Sequence, residues 1–167
     1  MVKMKLFSWV VSVSAFALLC AVSTSALAAD KLVVSSAVFQ EVSVVNAEGK
    51  NEIQRVPVSK ALPGSELIYV ITYKNIGDKP VEDVVINNPL AKELLYKDQS
   101  AEGKDAAVAV SVDGGAHFGN LALLQIPTPD GASRLAEASD VTHLQFKLSK
   151  SVLPQEEGTA SFRVILK

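Results

Sequence analysis

The sequence predicts an all-β protein, built as a sandwich or a barrel. Short apolar segments recur along the chain, and in several of them apolar residues alternate with polar or small residues. Turns containing Gly, Pro, Asn or Asp separate them at short intervals. We find no long amphipathic helix between the segments, and a parallel α/β sheet would need such helices. About eight or nine short strands are therefore expected.

Residues 1–28 are predicted to form a secretory signal peptide. A basic head, MVKMK, precedes an uncharged apolar run over residues 6–22. Ala26 and Ala28 then supply the two small residues of an A-x-A cleavage site. We therefore expect cleavage after Ala28, which would leave residues 29–167 as a single β-sandwich domain in the periplasm or outside the cell.

Two other interpretations of the N-terminus are less favoured. An uncleaved anchor is conceivable because about 20 apolar residues can span a bilayer, but several serines dilute this run and the A-x-A site follows it closely. Lipid attachment at Cys20 would need a small residue before the cysteine, and Leu19 stands there. We expect no membrane span after cleavage.

The composition of the mature chain limits the bonds that it can form and the classes of partner that it can bind. Loss of Cys20 removes the only thiol, so the mature chain has no cysteine with which to form a disulfide. Loss of Lys3 and Lys5 takes the basic count from 16 to 14 against 18 acidic residues, which gives a net charge of −4. We expect no nucleic-acid binding, because neutralising phosphates requires clustered Lys and Arg.

The first strands are predicted from β-branched and alternating segments. Residues 38–45 and 53–58 flank a polar loop and should form a hairpin. Pro57 cannot donate a ladder hydrogen bond, so its strand should be an edge or should end there. Residues 67–74 are apolar on both faces at first, which is typical of a strand inside a sheet.

Turn residues are predicted to divide the rest of the chain. Residues 75–78 should end the central strand, because they tolerate left-handed backbone. Residues 81–86 should resume as a strand and stop at Asn87-Asn88-Pro89.

The second half continues the strand pattern. Residues 93–97 are either a short strand or a helical turn, and 107–112 alternate as a strand. We expect long polar loops at 98–106 and 127–140, the second with a helical turn at 133–138. The two sheets should bury one face each, and the predicted core consists of Leu67, Tyr69, Ile71, Val84, Ile86, Val110, Leu144, Phe146, Phe162 and Val164.

One block of the sequence resembles a known family. Pro63-Gly64, the alternating strand after it, Asn75 and Gly77 are similar to the bacterial envelope conserved-repeat domain, catalogued as domain of unknown function eleven. Residues 111–115, 142–146 and 153–163 resemble further elements of a single-domain exported subgroup. Two positions depart from the pattern: Asn88 replaces an Asp, and Gln155 replaces a Gly. The resemblance implies an immunoglobulin-like antiparallel sandwich in the cell envelope.

The reactive residues form no recognisable site in sequence. His117 and His143 lie in separate elements without metal-site spacing, and no metal or cofactor is expected. Asp113-Gly114-Gly115 carries one acid, whereas calcium needs six to eight oxygens, so a turn is the better interpretation. Glu48 and Glu156-Glu157 are predicted to be solvated charges.

The function expected from these observations is non-enzymatic. A G-x-S-x-G elbow is missing from the sequence, although a Ser-His-Asp triad is recognised only by geometry. We expect a structural or binding module of the envelope, with a protein or glycan as partner and specificity in the two long loops. The alternatives are a module that acts by β-strand addition, and a small exported metal-binding protein or enzyme that uses His117 or His143.

Overall fold

Residues 31–167 are described by the computed structural model, and they form two antiparallel sheets packed face to face. The predicted signal peptide, with Ala26 and Ala28, lies outside the described residues. Within the described part of the chain, no helix is both long and apolar enough to cross a bilayer.

The described residues form eleven strands, and among these residues two short 3-10 turns, Leu121–Leu123 and Ala138–Asp140, are the only helical elements. The strands are β1 Leu32–Val45, β2 Asn51–Pro57, β3 Glu66–Asn75, β4 Val85–Pro89, β5 Leu94–Tyr96, β6 Glu102–Gly103, β7 Ala106–Ser111, β8 Gln125–Pro127, β9 Ser133–Leu135, β10 His143–Leu148 and β11 Glu157–Leu166. The larger sheet has the order β2-β1-β3-β11-β5, with β6 also pairing with β11. The smaller sheet has the order β4-β10-β7, and β8 and β9 form a separate hairpin. The predicted all-β sandwich is confirmed.

The core lies between the two sheets, as the alternation predicts. Nine of the ten predicted core residues are buried, whereas Tyr69 is partly exposed. Phe146 in the small sheet and Phe162 in the large sheet are fully buried, with ring centroids 6.4 Å apart. Phe162 also stacks on Tyr69 at 5.1 Å. These contacts across and within the sheets hold the two layers together.

The β1–β2 hairpin confirms the interpretation of Pro57. β2 is the outermost strand of its sheet and ends at Pro57, which lies opposite Phe39. The N–H of Val58 donates to Val38 across this pair. Backbone groups alternate between the two sides of a strand, so the nitrogen of Pro57 faces away from β1. The missing N–H therefore removes no ladder hydrogen bond.

Asn75 ends β3 by a different mechanism from the one predicted. None of residues 75–78 has a positive φ. Asn75 is instead the last strand residue, with its side chain fully buried. Its Nδ2 donates to the carbonyl oxygens of Lys79 at 2.7 Å and Val152 at 2.8 Å, while Oδ1 accepts from Gly77. The amide fastens the β3–β4 connection to the loop before β11.

Three local predictions are wrong. The strand expected at 81–86 begins only at Val85, since Asp83 adopts a left-handed φ of 51°. Asn87, Asn88 and Pro89 do not stop this strand but belong to it, because β10 supplies their partners. Residues 133–135 are extended in a hairpin with β8, so the helical turn comes later than expected.

Candidate functional site

The turn after β7 brings the predicted Asp113 and both histidines into one corner. Asp113 Oδ1 accepts hydrogen bonds from the backbone N–H groups of Ala116 and His117, at 3.1 and 3.0 Å, and from the Ser111 hydroxyl at 2.7 Å. Its Oδ2 lies 2.6 Å from Nδ1 of His117. The ring of His143 packs over Gly115, where a Cβ would lie 3.4 Å from the imidazole.

This corner does not have the geometry of a catalytic triad. In a triad the histidine contacts the serine and removes its proton. Here the carboxylate of Asp113 lies between Ser111 and His117, and Ser111 is fully buried. The Ser111 hydroxyl also accepts from the N–H of Gly115 at 2.9 Å. The group therefore closes a turn, as the sequence interpretation of Asp113-Gly114-Gly115 expects.

Asp113 should make the folded state sensitive to acid. Hydrogen bonds, first from the His117 backbone and then from the side chains of Ser111 and His117, hold the pKa of its carboxyl well below the ordinary value. A depressed folded-state pKa contributes stability that is present above the unfolded pKa and is lost as the pH falls through the folded one. We therefore expect Asp113→Asn to destabilise the protein more at neutral pH than below about pH 4.

Urea unfolding of wild type and variant across this pH range measures that difference. Asp78→Asn, at an exposed loop position, serves as the control. A stability difference for Asp113→Asn that stayed constant with pH would contradict the role assigned to the carboxylate.

The histidines do not converge with further ligands. His143 Nδ1 lies 3.1 Å from the Thr142 hydroxyl, whereas His117 bonds Asp113. Among residues 31–167, no three His, Cys, Asp or Glu side chains are arranged to hold a metal ion. Glu48, Glu156 and Glu157 are exposed.

A shallow pocket of about 410 Å³ opens at one end of the sandwich. Its apolar floor includes Tyr73 and Val152, and its rim carries Lys150, Asp105 and Glu156. Burial raises the pKa of the Tyr73 hydroxyl, and the nearby carboxylates of Glu156 and Asp105 raise it further. The rim mixes both charges and the pocket is open to solvent, so nothing in it selects one ligand class.

Tyr73 requires a glycine at position 158. The tyrosine ring lies on the backbone of Gly158 across the β3–β11 pair, and a Cβ there would overlap its hydroxyl and ring carbons. We expect Gly158→Ala to lower the free energy of unfolding by about 1 to 3 kcal/mol, the usual range for overpacking. Thermal unfolding of Gly158→Ala in the wild-type and Tyr73→Leu backgrounds tests the cause. Leucine lacks the hydroxyl and the ring carbons that the Cβ would overlap, so Gly158→Ala should cost less in the second background, and an equal cost in both would contradict the clash.

Charged side chains form a ladder across the outer face of the large sheet. Arg163 on β11 bonds Glu66 on β3 at 2.8 Å and Glu41 on β1 at 2.9 Å. Lys97 and Arg55 extend the ladder at its two ends, at 2.8 Å from Glu66 and 3.7 Å from Glu41. Hydrogen bonds from these partners, Lys97 foremost at Glu66 and Arg163 at Glu41, lower the pKa of both carboxylates. The ladder ties neighbouring strands together and covers Ile68, which is only 2% exposed.

The N-terminal half of β1 has an open side. β1 pairs with β3 through residues 32–39 and with β2 through residues 39–45. On the side away from β3, residues 32–37 have no backbone partner among the described residues. Alternation fixes which groups face that side, since Lys31 accepts from Ile76 next to β3 and Val38 accepts from Val58 next to β2. The backbone N–H and C=O groups of even-numbered residues therefore point away from β3. Leu32, Val34 and Ser36 present three N–H and three C=O groups to the open side.

The open side lacks the usual protection of a sheet edge. Natural edges carry charges, prolines or bulges that discourage further pairing. β2 follows this rule with Glu52, Arg55 and Pro57. Residues 32–38, LVVSSAV, contain none of these features, and Val33 and Val34 are 49% and 47% exposed. This unguarded stretch, which we call the open β1 edge, is the best candidate for a partner-binding surface.

The residue pattern predicts the turn chemistry but not this edge. Asp113-Gly114-Gly115 predicts a turn, and residues 98–106 and 127–140 predict loops, although β6, β8 and β9 occupy parts of them. The absence of charge in 32–38 is the signal that could have indicated the edge.

In comparisons with known proteins, no family model, curated protein or solved structure matches the chain. The resemblance to the conserved-repeat family therefore stays a prediction.

Proposed function

We propose that the chain is an exported, non-enzymatic β-sandwich that acts as a structural or binding module of the bacterial cell envelope. The observation that carries the proposal is the open β1 edge on a scaffold whose interior is apolar. The reactive side chains of the Asp113 corner close a turn. The charged ladder on the large sheet joins neighbouring strands.

The proposal includes an immunoglobulin-like fold and membership of the conserved-repeat family. Gln155 supports this assignment, because it adopts a left-handed φ of 63° at the position where the family pattern has Gly. Glycine takes that conformation without strain, so the turn keeps the backbone shape that a glycine would favour. The predicted signal peptide supports a periplasmic or extracellular location, and the acidic net charge supports partners other than nucleic acid.

A more specific candidate function is partner binding by β-strand addition at the open β1 edge. An added strand would gain main-chain hydrogen bonds from Leu32, Val34 and Ser36, which is the basis of peptide recognition at sheet edges. Ser35 and Ala37 are exposed and small, so they leave room for the side chains of an added strand.

Residue-resolved amide exchange tests strand addition. In dilute purified protein the amides of Leu32, Val34 and Ser36 should exchange quickly, and they should slow when a cell-envelope extract is added. Val34→Pro removes one outward N–H and should abolish the slowing. Ile53→Pro is the matched control, because it alters the open side of β2 instead. Unchanged exchange at these three amides in the extract would contradict strand addition, and hydrolysis of an envelope substrate by the purified protein would overturn the non-enzymatic assignment.

A further inference from the structure

We infer that the open β1 edge pairs with the same strand of a second copy, in an antiparallel dimer whose two-fold axis passes beside Val34. The inference rests on the proposed strand-addition function and names the partner. Its basis is the length of the free segment, the alternation of its outward backbone groups, and its composition.

The free segment has a defined centre. The strand begins at Leu32, which lies opposite Asn75 at the end of β3, and its free outward groups end at Ser36, because the hydrogen bond from Val58 occupies the outward carbonyl of Val38. The midpoint of residues 32–36 is Val34. A two-fold axis relates a surface to itself, so a symmetric strand pair must be centred on one point of that segment.

A centre at Val34 also matches the alternation of backbone groups along the segment, in which even-numbered residues direct their N–H and C=O groups to the open side. With Val34 opposite its own copy, Leu32 lies opposite Ser36 of the other chain, and Ser36 lies opposite Leu32. All three residues point their backbone groups outward, and opposed residues of an antiparallel hydrogen-bonded pair exchange both bonds. The arrangement therefore satisfies all the outward N–H and C=O groups of Leu32, Val34 and Ser36 in both copies. Centring on Ser35 would place Leu32 opposite Val38, whose outward carbonyl is already occupied by Val58, and centring on Val33 would place Ser36 opposite position 30, beyond the start of β1.

The side chains offer no obstacle to the pairing. Valine faces valine at the centre, and Val33 faces Ser35 on the other side of the sheet. Lys31 aligns with Ala37, so no charges of equal sign are opposed, an arrangement that would be destabilising. The exposed fractions of Val33 and Val34, 49% and 47%, show that both faces of the strand have apolar surface available to a neighbour.

Opposite charges placed at the axis test this register. Val34→Lys and Val34→Glu each place two equal charges face to face, so each variant alone should self-associate about tenfold or more weakly than wild type. An equimolar mixture of the two should recover association, because the introduced lysine of one copy faces the introduced glutamate of the other. Val45→Lys, at an exposed position near the opposite end of β1, is the control and should associate like wild type. Sedimentation velocity over a range of concentrations measures all five samples, wild type included.

Failure of this inference is distinguishable from failure of the proposed function. A wild-type protein that stays monomeric up to about 1 mM, beyond the range of weak specific complexes, would overturn the dimer, and so would a mixture that does not recover. If amide exchange at Leu32, Val34 and Ser36 then slows with envelope extract but not with protein concentration, the edge binds a different chain. If it slows in neither case, strand addition is overturned as well.

Discussion

Replacing Asn75 with aspartate is expected to lower the free energy of unfolding by about 3 kcal/mol. The substitution keeps the shape of the side chain and the oxygen that accepts from Gly77 at 2.8 Å. It removes both N–H donors, so the carbonyl oxygen of Lys79 loses this partner, that of Val152 keeps only the N–H of Val81, and both face a carboxylate oxygen instead. A buried polar group left unsatisfied costs about 1 to 3 kcal/mol, and a charged one costs more, and the introduced carboxylate would have no exposed surface.

Urea titration at neutral and acidic pH measures this effect. Protonation gives the introduced carboxyl one donor, so the loss should be smaller at acidic pH. Asn87→Asp is the matched control, because Asn87 is exposed and its oxygen, which accepts from Gln145, is retained. Equal losses for the two variants would contradict the role assigned to the Asn75 amide.

Truncating Phe162 to alanine is expected to cost about 3 to 5 kcal/mol, the range observed for buried aromatic residues. Phe162 has no exposed surface, stacks on Tyr69 within its own sheet and approaches Phe146 in the facing sheet. Its removal opens a cavity at the point where the two layers meet. The cost depends on how far the surrounding side chains can collapse into that space.

Two further variants separate the cavity from general loss of apolar surface. Phe162→Leu keeps much of the volume and should cost clearly less than Phe162→Ala. Phe39→Ala removes the same ring from a partly exposed position on β1 and should also cost less. A loss below about 1 kcal/mol for Phe162→Ala would show that this ring is not central to the core.

Much of the fold could be predicted, because the alternation of apolar and polar residues along a strand indicates which side chains are buried. Leu144, Phe146, Phe162 and Val164 alternate with more exposed residues, and all four have essentially no exposed surface. Strand ends were harder, because a strand continues wherever a neighbour supplies hydrogen bonds. Asn87, Asn88 and Pro89 look like a stop in sequence, yet β10 pairs with all three.

The candidate site could be predicted only in part, because it depends on strand order. The turn chemistry of Asp113 is local and visible in sequence. The open side of β1 is not, since it exists only because β2 pairs with residues 39–45 and leaves residues 32–37 without a second neighbour in the described chain. The buried role of Asn75 likewise depends on a contact with Val152, which is 77 positions away.

The position of β11 determines when the sandwich can be completed. This strand, the last of those described, lies inside the large sheet, between β3 on one side and β5 and β6 on the other. Until residues 157–166 have been synthesised, β3 lacks its neighbour and the core lacks Phe162. Long-range pairing of this kind slows folding, so the emerging chain cannot close its sandwich before residues 157–166 have left the ribosome.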